Sequence, residues 1–250
     1  MTGSPDLQTL NTDCYGQVKL RLREVIAQQG SAGALRLPSE ADLSQALGVS
    51  RATLRSALLS LQKEGRIRRL HGHGTFINRH ALGIGANLAE AGAFMDLLAQ
   101  EGYRPSVRTL DRRLVPLAEQ EAGALELGED ETGLRITRVF LAGDEPAVHS
   151  VDLFPARLLP ADHDRLDEQR STFEFVSTHL GAPVCYSVAR IRPVLPTPDV
   201  AAALRVSSTT PLLQLSHTHI RADERPVAVT VVHVNDAYLS FSVIRTYLDE

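Results

Sequence analysis

Val18, Leu22, Val25 and Ile26 fall at i, i+4, i+7 and i+8 with Lys19, Arg21, Arg23 and Glu24 turned elsewhere, so Tyr15 to Gln29 is expected to form an amphipathic helix ended by Gly30 and Gly33. A second, short helix is expected after Leu37-Pro38-Ser39-Glu40, where Ser39 and Asp42 make a capping-box-like start and Gly48 a stop. Ser50 is placed to cap a third helix with Leu54, Ala57, Leu58 and Leu61 as its buried stripe. Two helices joined by a tight turn at a glycine have the spacing of a helix-turn-helix. Beyond Gly65 the period changes to two. Ile67, Arg69 and His71 face one side and Arg68 and Leu70 the other, then Gly72-His73-Gly74 leads into Thr75-Phe76-Ile77, a hairpin tipped by glycines.

The stretch from Asn78 to Asn87 is low in bulky residues and holds Gly83 and Gly85, so residues 80–87 are expected to link a module at 11–79 to a second at 88–247. Leu88 to Gly102 reads as a helix with Leu97 and Leu98 apolar and Gly102 as its C-cap. Short strands then dominate. Leu134 to Ala142 and Ala147 to Phe154 form one hairpin around Gly143-Asp144-Glu145-Pro146, and Leu212 to Ile220 with Val227 to Val234 form another. Ser171 to Leu180 and Pro198 to Leu204 read as short helices, and Tyr186 to Val194 as a further strand. Hairpins with inserted helices predict an α+β fold: an N-terminal winged helix-turn-helix joined to an antiparallel-sheet domain.

Charge divides the chain at the same place. Residues 1–79 hold 11 Lys and Arg against 6 Asp and Glu, a balance of +5, whereas the remaining residues hold 15 against 24, a balance of -9. A basic module of this size suits contact with phosphates. Cys14 and Cys185 are too few and too far apart for a disulfide framework or a cysteine zinc site. No run approaches the roughly 20 apolar residues of a membrane span, and Met1 to Leu10 lacks the pattern of a secretory leader, so a cytoplasmic protein with no membrane partner is expected.

Arg51 and Arg55, one helical turn apart with Thr53 between them, can reach one DNA groove together, and arginine reads guanine O6 and N7 with two hydrogen bonds. Singly, Arg51, Arg55, Arg66, Arg68 and Arg69 are as well explained as a solvated face. Their place in an ordered series of capped helix, glycine turn, arginine-bearing helix and glycine-tipped hairpin favours DNA binding.

Leu37-Pro38-Ser39-Glu40, Gly48-Val49-Ser50-Arg51-Ala52-Thr53-Leu54-Arg55 and Glu64-Gly65 followed by His71 to Ile77 resemble the winged helix-turn-helix of the GntR family of bacterial transcriptional regulators. The resemblance implies a homodimer on palindromic double-stranded operator DNA. It places Ser39, Arg51, Thr53 and Arg55 at the DNA, with His71, Gly72, His73 and Gly74 as the wing. Ala41 departs from the family, many members of which carry an arginine there that also touches DNA.

The C-terminal half is similar to the UTRA ligand-binding domain of the HutC subfamily, whose fold is shared with chorismate lyase. The similarity rests on Arg138, Asp144-Glu145-Pro146, Leu153-Phe154-Pro155, Ser171-Thr172-Phe173, Gly181 and Asp236-x-Tyr238. It implies a regulator, more often a repressor, whose operator affinity changes when a small metabolite binds. Arg138, Phe140, Ser150, Asp152, Ser171, Thr172 and Tyr238 are the expected effector-binding residues. Phe140 replaces a second arginine, and Ser150 and Ala228 replace glutamates common in members that bind sugar phosphates, so an effector with at most one anionic group is expected. It would set its anion against Arg138 and the start of the helix at Ser171 and Thr172. If Phe140 is ordinary core, Arg190 or Arg192 could rebuild the anion site. His217, His219 and His233 could in principle bind a metal, but their spacing is loose, and no metal or cofactor is expected. Arg138, His149 and Asp152 near one cleft would be the alternative, an enzyme of lyase-like chemistry; without a nucleophile elbow, phosphate loop or metal motif, sensing is the simpler reading and no catalytic residue is expected.

Overall fold

The computed structural model describes residues 7–70, 72–82, 86–87, 92–128, 130–169, 171–181 and 183–244, without the side chains of 7–17 and 20. Three helices open the chain: α1 (Leu7–Ser31), α2 (Glu40–Leu47) and α3 (Arg51–Lys63). α1 is longer than its apolar stripe predicts, and Gly30 lies inside its last turn. Val18, Leu22 and Ile26 from α1, Leu43 from α2 and Leu54, Ala57, Leu58 and Leu61 from α3 share one core, as the i, i+3, i+4 spacing requires. Ser39 caps α2 by accepting from Asp42 N at 3.2 Å, and Ser50 caps α3 by accepting from Thr53 N at 3.1 Å. Between them Gly48 sits in the left-handed region at φ 64°, where its N–H closes the end of α2 and a side chain would be strained.

Strands β1 (Ile67–Leu70) and β2 (Gly74–Ile77) pair antiparallel as the expected hairpin. The chain before α2 adds to it: Leu37 N donates to Thr75 O, Ile77 N donates to Leu35 O, and Arg36 bridges Phe76. Glu64, at the end of α3, gathers Lys19 and Arg23 of α1 together with Arg66. Burial works to raise its carboxyl pKa, but the hydrogen bond from Lys19 and the charges of Arg23 and Lys19 outweigh that and hold it below the usual value. Arg66 is thereby spent inside the fold rather than on a DNA-facing surface.

The expected linker is not featureless. Residues 79–81 form a short 3-10 helix with Ala81 buried, and β3 (Ala86–Asn87) pairs with β10 (Phe241–Ser242). Of the helix expected from Leu88, residues 88–91 lie outside the described set, and α4 begins only at Phe94 and runs to Gln100. Ala93, its N-cap, is in extended backbone and gives no side-chain cap hydrogen bond.

Six strands form one antiparallel sheet in the order β4-β5-β6-β9-β8-β7. They are β4 (Pro105–Pro116), β5 (Thr132–Ala142), β6 (Glu145–Pro155), β7 (Val184–Val194), β8 (Leu212–Arg221) and β9 (Pro226–Val234). β4 and the short helix α5 (Glu119–Ala124) have no counterpart in the sequence reading. Helix α6 (Thr172–His179) packs Phe175 and Val176 on one sheet face with Leu134, Ile136, Phe154 and Ala228. The other face takes α5, near Leu153, and α7 (Pro198–Leu204), whose Val200 and Leu204 meet Val139 and Leu212.

The chain divides into two compact units, one comprising Met1–Ala89 with Ser242–Glu250 and the other Glu90–Phe241. Within the first, Ile244 lies over Gly65, which stands at φ 71° between α3 and β1 with no room for a Cβ.

Candidate functional site

Each unit carries one candidate site. In the first, Arg51 and Arg55 are exposed on α3, and Gly72, His73 and Gly74 are exposed at the hairpin tip, while His71 lies outside the described residues. Thr53 hydrogen-bonds the Ser50 hydroxyl at 2.8 Å and Ser39 donates to Asp42 at 2.7 Å, so both hydroxyls serve helix caps. Arg55 reaches Glu40, its Nε 2.7 Å from the carboxylate. The structure adds Arg36, which the sequence reading passed over. Its guanidinium lies 6.0 Å from the Phe76 ring centroid, and a Cβ on Gly74 would stand 3.1 Å from its Nε. Arg36 and Arg69 line a groove of about 740 Å³ with Ser39, Glu40, Gly72 and Gly74. Only the pairing of residues 35–37 with β2 could have revealed Arg36, and that contact is not local in sequence.

In the second unit, cross-strand register sorts the polar residues between two faces, because successive side chains of a strand point to opposite sides. Arg138 pairs with Ser150, and Asp152 with Thr230, which in turn pairs with His217. These residues share the face covered by α6. Arg138 Nη2 donates to Asp152 Oδ2 at 2.6 Å, and neither side chain is more than 3% exposed. Asp152 also accepts from Ser150 at 2.9 Å, from Thr172 at 2.6 Å and from Thr230 at 2.8 Å. Arg138 further donates to Glu168 O at 3.0 Å and Thr172 Oγ1 at 3.3 Å, and its guanidinium lies 5.5 Å from the Phe140 ring centroid. His219 extends the network, with one ring nitrogen 2.9 Å from Thr230 Oγ1 and the other 2.7 Å from Ser187 Oγ.

The electrostatics follow from this geometry. Burial alone would raise the Asp152 pKa, but the Arg138 charge and the hydrogen bonds from Thr172, Arg138 and Thr230 lower it, so Asp152 is ionised. Burial first, then the neighbouring His217, pushes His219 down to about 4 against a raising pull from Asp152. Burial also lowers His217. At neutral pH the cluster is one internally matched ion pair among neutral donors and acceptors.

Arg138, the expected partner of an effector anion, is thus already paired with Asp152 in the structure. Phe140, Ser150 and Thr172 belong to the same constellation, but two other expected residues do not join it through any hydrogen bond or ring contact among the described residues. Ser171 spends its hydroxyl in a capping box with Glu174, and Tyr238 packs on Tyr103, ring centroids 6.1 Å apart. Arg190 and Arg192 are exposed on β7. Thr230 and Ser187 are partners that the sequence reading did not single out.

The three histidines do not share a site. His217 and His219 stack at 5.7 Å, but His233 pairs with Gln214 and His149 on the opposite face, its ring 5.8 Å from that of His149. Among the described residues no group of three His, Cys, Asp or Glu is arranged to hold a metal. His149 likewise points away from Arg138 and Asp152, so the lyase-like trio is not assembled. Burial and then the neighbouring His233 lower its pKa to about 4, against Asp199.

Residues 100–238 match the UTRA domain, and residues 14–77 match the family described as bacterial regulatory proteins, gntR family. The chain is 26% identical to the HTH-type transcriptional repressor NagR of Bacillus subtilis, over 89% of this chain and 94% of that protein. It is 29% identical to the HTH-type transcriptional regulator Rv0792c of Mycobacterium tuberculosis, over 91% and 84%. Its fold resembles the crystal structure of the possible transcriptional regulator YydK of Bacillus subtilis, with TM-score 0.69 and 17% identity across 93% of this chain and 99% of the other.

Proposed function

Because this chain belongs to the UTRA-bearing regulators of the bacterial gntR family, we propose that it is a homodimeric repressor released from a palindromic operator by a small-molecule effector. It is a DNA-binding transcriptional regulator and not an enzyme. No described helix is long and apolar enough to cross a membrane, and a place of action beside the genome in the cytoplasm fits the activity.

The observation that carries the DNA reading is the capped α3 presenting Arg51 and Arg55 in one exposed turn beside the glycine-tipped hairpin. Arg51→Ala and Arg55→Ala are each expected to weaken binding to the operator. A loss of ~1–3 kcal/mol on that duplex with little change on random DNA marks a base contact, and a uniform loss with a shallower salt slope marks a phosphate contact. Fluorescence anisotropy against a duplex enriched by the protein from a random pool checks this. Wild-type affinity for both variants would remove the assignment.

A dimer follows from the small number of base pairs one winged helix can read, which two-fold symmetry doubles. Of the two edge strands of the sheet, β4 and β7, the second offers it a surface. β7 is exposed along nearly its whole length, and Tyr186, Val188 at 54% exposure and Ile191 are apolar there. Such an edge is a template for pairing with another strand. The full chain should sediment as a dimer at micromolar concentration, and Val188→Glu with Ile191→Glu should shift it to the monomer. A monomeric wild type would end this reading.

The effector site is proposed on the α6-covered face, around Arg138, Phe140, Ser150, Asp152 and Thr172. Because the cluster is internally neutral, it suits a ligand rich in hydroxyl or amide groups, or one carrying balanced charges, better than a lone anion. A tenfold change in operator affinity on binding needs only about 1.4 kcal/mol of coupling.

A further inference from the structure

The geometry points to Glu40 as a positioning residue that sets DNA specificity by holding the arginines of two different elements on one carboxylate. It rests on the DNA-reading assignment above. Glu40 is the first residue of α2, which Ser39 caps. One carboxylate oxygen takes Arg55 Nε at 2.7 Å from α3, and the other takes Arg69 from the hairpin strand β1. Glu40 is about a quarter exposed, Arg69 about a third and Arg55 nearly two-thirds; Glu40 and Arg69 line the groove beside the hairpin tip, and Arg55 reaches the same carboxylate from α3.

A carboxylate only accepts hydrogen bonds, and so it repels a phosphate that approaches the same groove. A DNA backbone that docks without regard to sequence must draw Arg55 and Arg69 away from Glu40 and leave that charge facing its own. A base edge makes no such demand. Guanine O6 and N7 can take the guanidinium N–H groups that Glu40 leaves over, and cytosine N4 or adenine N6 can donate to the carboxylate itself. Glu40 therefore penalises contact by phosphate alone and holds the Arg55 fork at a fixed angle for a base. Arg36, over the Phe76 ring, has no tie to it among the described contacts. Ala41, next in the chain, brings no guanidinium of its own to the groove, so the arginines held by Glu40 carry more of the reading.

The test is Glu40→Gln in the full chain, measured on the duplex enriched by the wild type from a random pool and on a scrambled duplex of equal composition, across a salt series. The expected result is tighter binding to the scrambled duplex, a salt slope steeper by about one to two as freed arginines move to phosphates, and a specificity ratio about tenfold smaller. With Arg55→Ala already present, the same substitution should lower the ratio by clearly less than tenfold, since the share of its effect that passes through Arg55 is gone. Equal weakening on both duplexes with an unchanged slope would show that Glu40 only supports the fold and would overturn the inference, as would an undiminished drop in the Arg55→Ala background. Failure of the wild type to enrich any duplex would instead sink the DNA-reading assignment on which it stands.

Discussion

Asp152→Ala is expected to lower the folding stability of the effector-binding unit by about 3–5 kcal/mol, the range for breaking a buried ion pair from one side. Arg138 would keep its charge at 2% exposure without the Asp152 carboxylate, and the hydroxyls of Ser150, Thr172 and Thr230 would lose their shared acceptor. Urea unfolding of the full chain followed by circular dichroism reads this, and a loss under about 1 kcal/mol would contradict the pairing. Replacing both partners together, with Arg138→Met and Asp152→Leu, should recover most of the loss, because no unpaired charge is left behind. Acid acts on the same group. Its folded pKa lies below the unfolded value near 3.8, so the stabilisation it supplies is complete above that pH and drains away as pH falls through the lowered folded value. Loss of effector response in an Arg138 variant consequently carries meaning only alongside its unfolding curve.

Leu58→Ala should cost the DNA-binding unit about 2–5 kcal/mol and take operator binding with it, since the side chain is fully buried among α1, α2 and α3 and its removal leaves a cavity there. The next residue is the control. Leu59 is 48% exposed, and Leu59→Ala should stay within about 0.5 kcal/mol of wild type. Similar losses at the two positions would mean that α3 is not seated as described.

That contrast between neighbours is legible in the sequence, because helix period and caps are local. Ser39, Gly48 and Ser50 punctuate α2 and α3 within a few residues of themselves. β4 was not readable for the opposite reason. Its Leu110 and Leu114 are exposed, Asp111, Arg112 and Arg113 interrupt any alternation, and a bulge between Thr109 and Asp111 shifts its register. α5, six residues long with no side-chain cap bond from Ala118, leaves little trace in the pattern.

The candidate sites divide in the same way. Arg138, Ser150 and Asp152 lie at matching parity on two strands of one hairpin, so their proximity could be inferred. Thr230 is 78 residues from Asp152, and only strand pairing brings them together. Parity misled with the histidines. His217 and His219 do share a face, but register places Thr230 opposite His217 and sends His233 to the other side. A partner strand offset by one residue reverses such an assignment, and the sequence of a single strand carries no record of that offset.

The seat of Ile244 over Gly65 has a consequence for how the molecule is made. One compact unit is built from Met1–Ala89 and Ser242–Glu250, and everything from Glu90 to Phe241 is translated between them. At about 5–20 residues per second a ribosome spends roughly ten to thirty seconds on that stretch. Throughout it the nascent winged helix stands with Gly65 uncovered at the corner between α3 and β1. A chain cut short anywhere in the sheet domain never fills that notch, so Ile244 reaches the DNA-binding unit only in molecules that already carry their sensor.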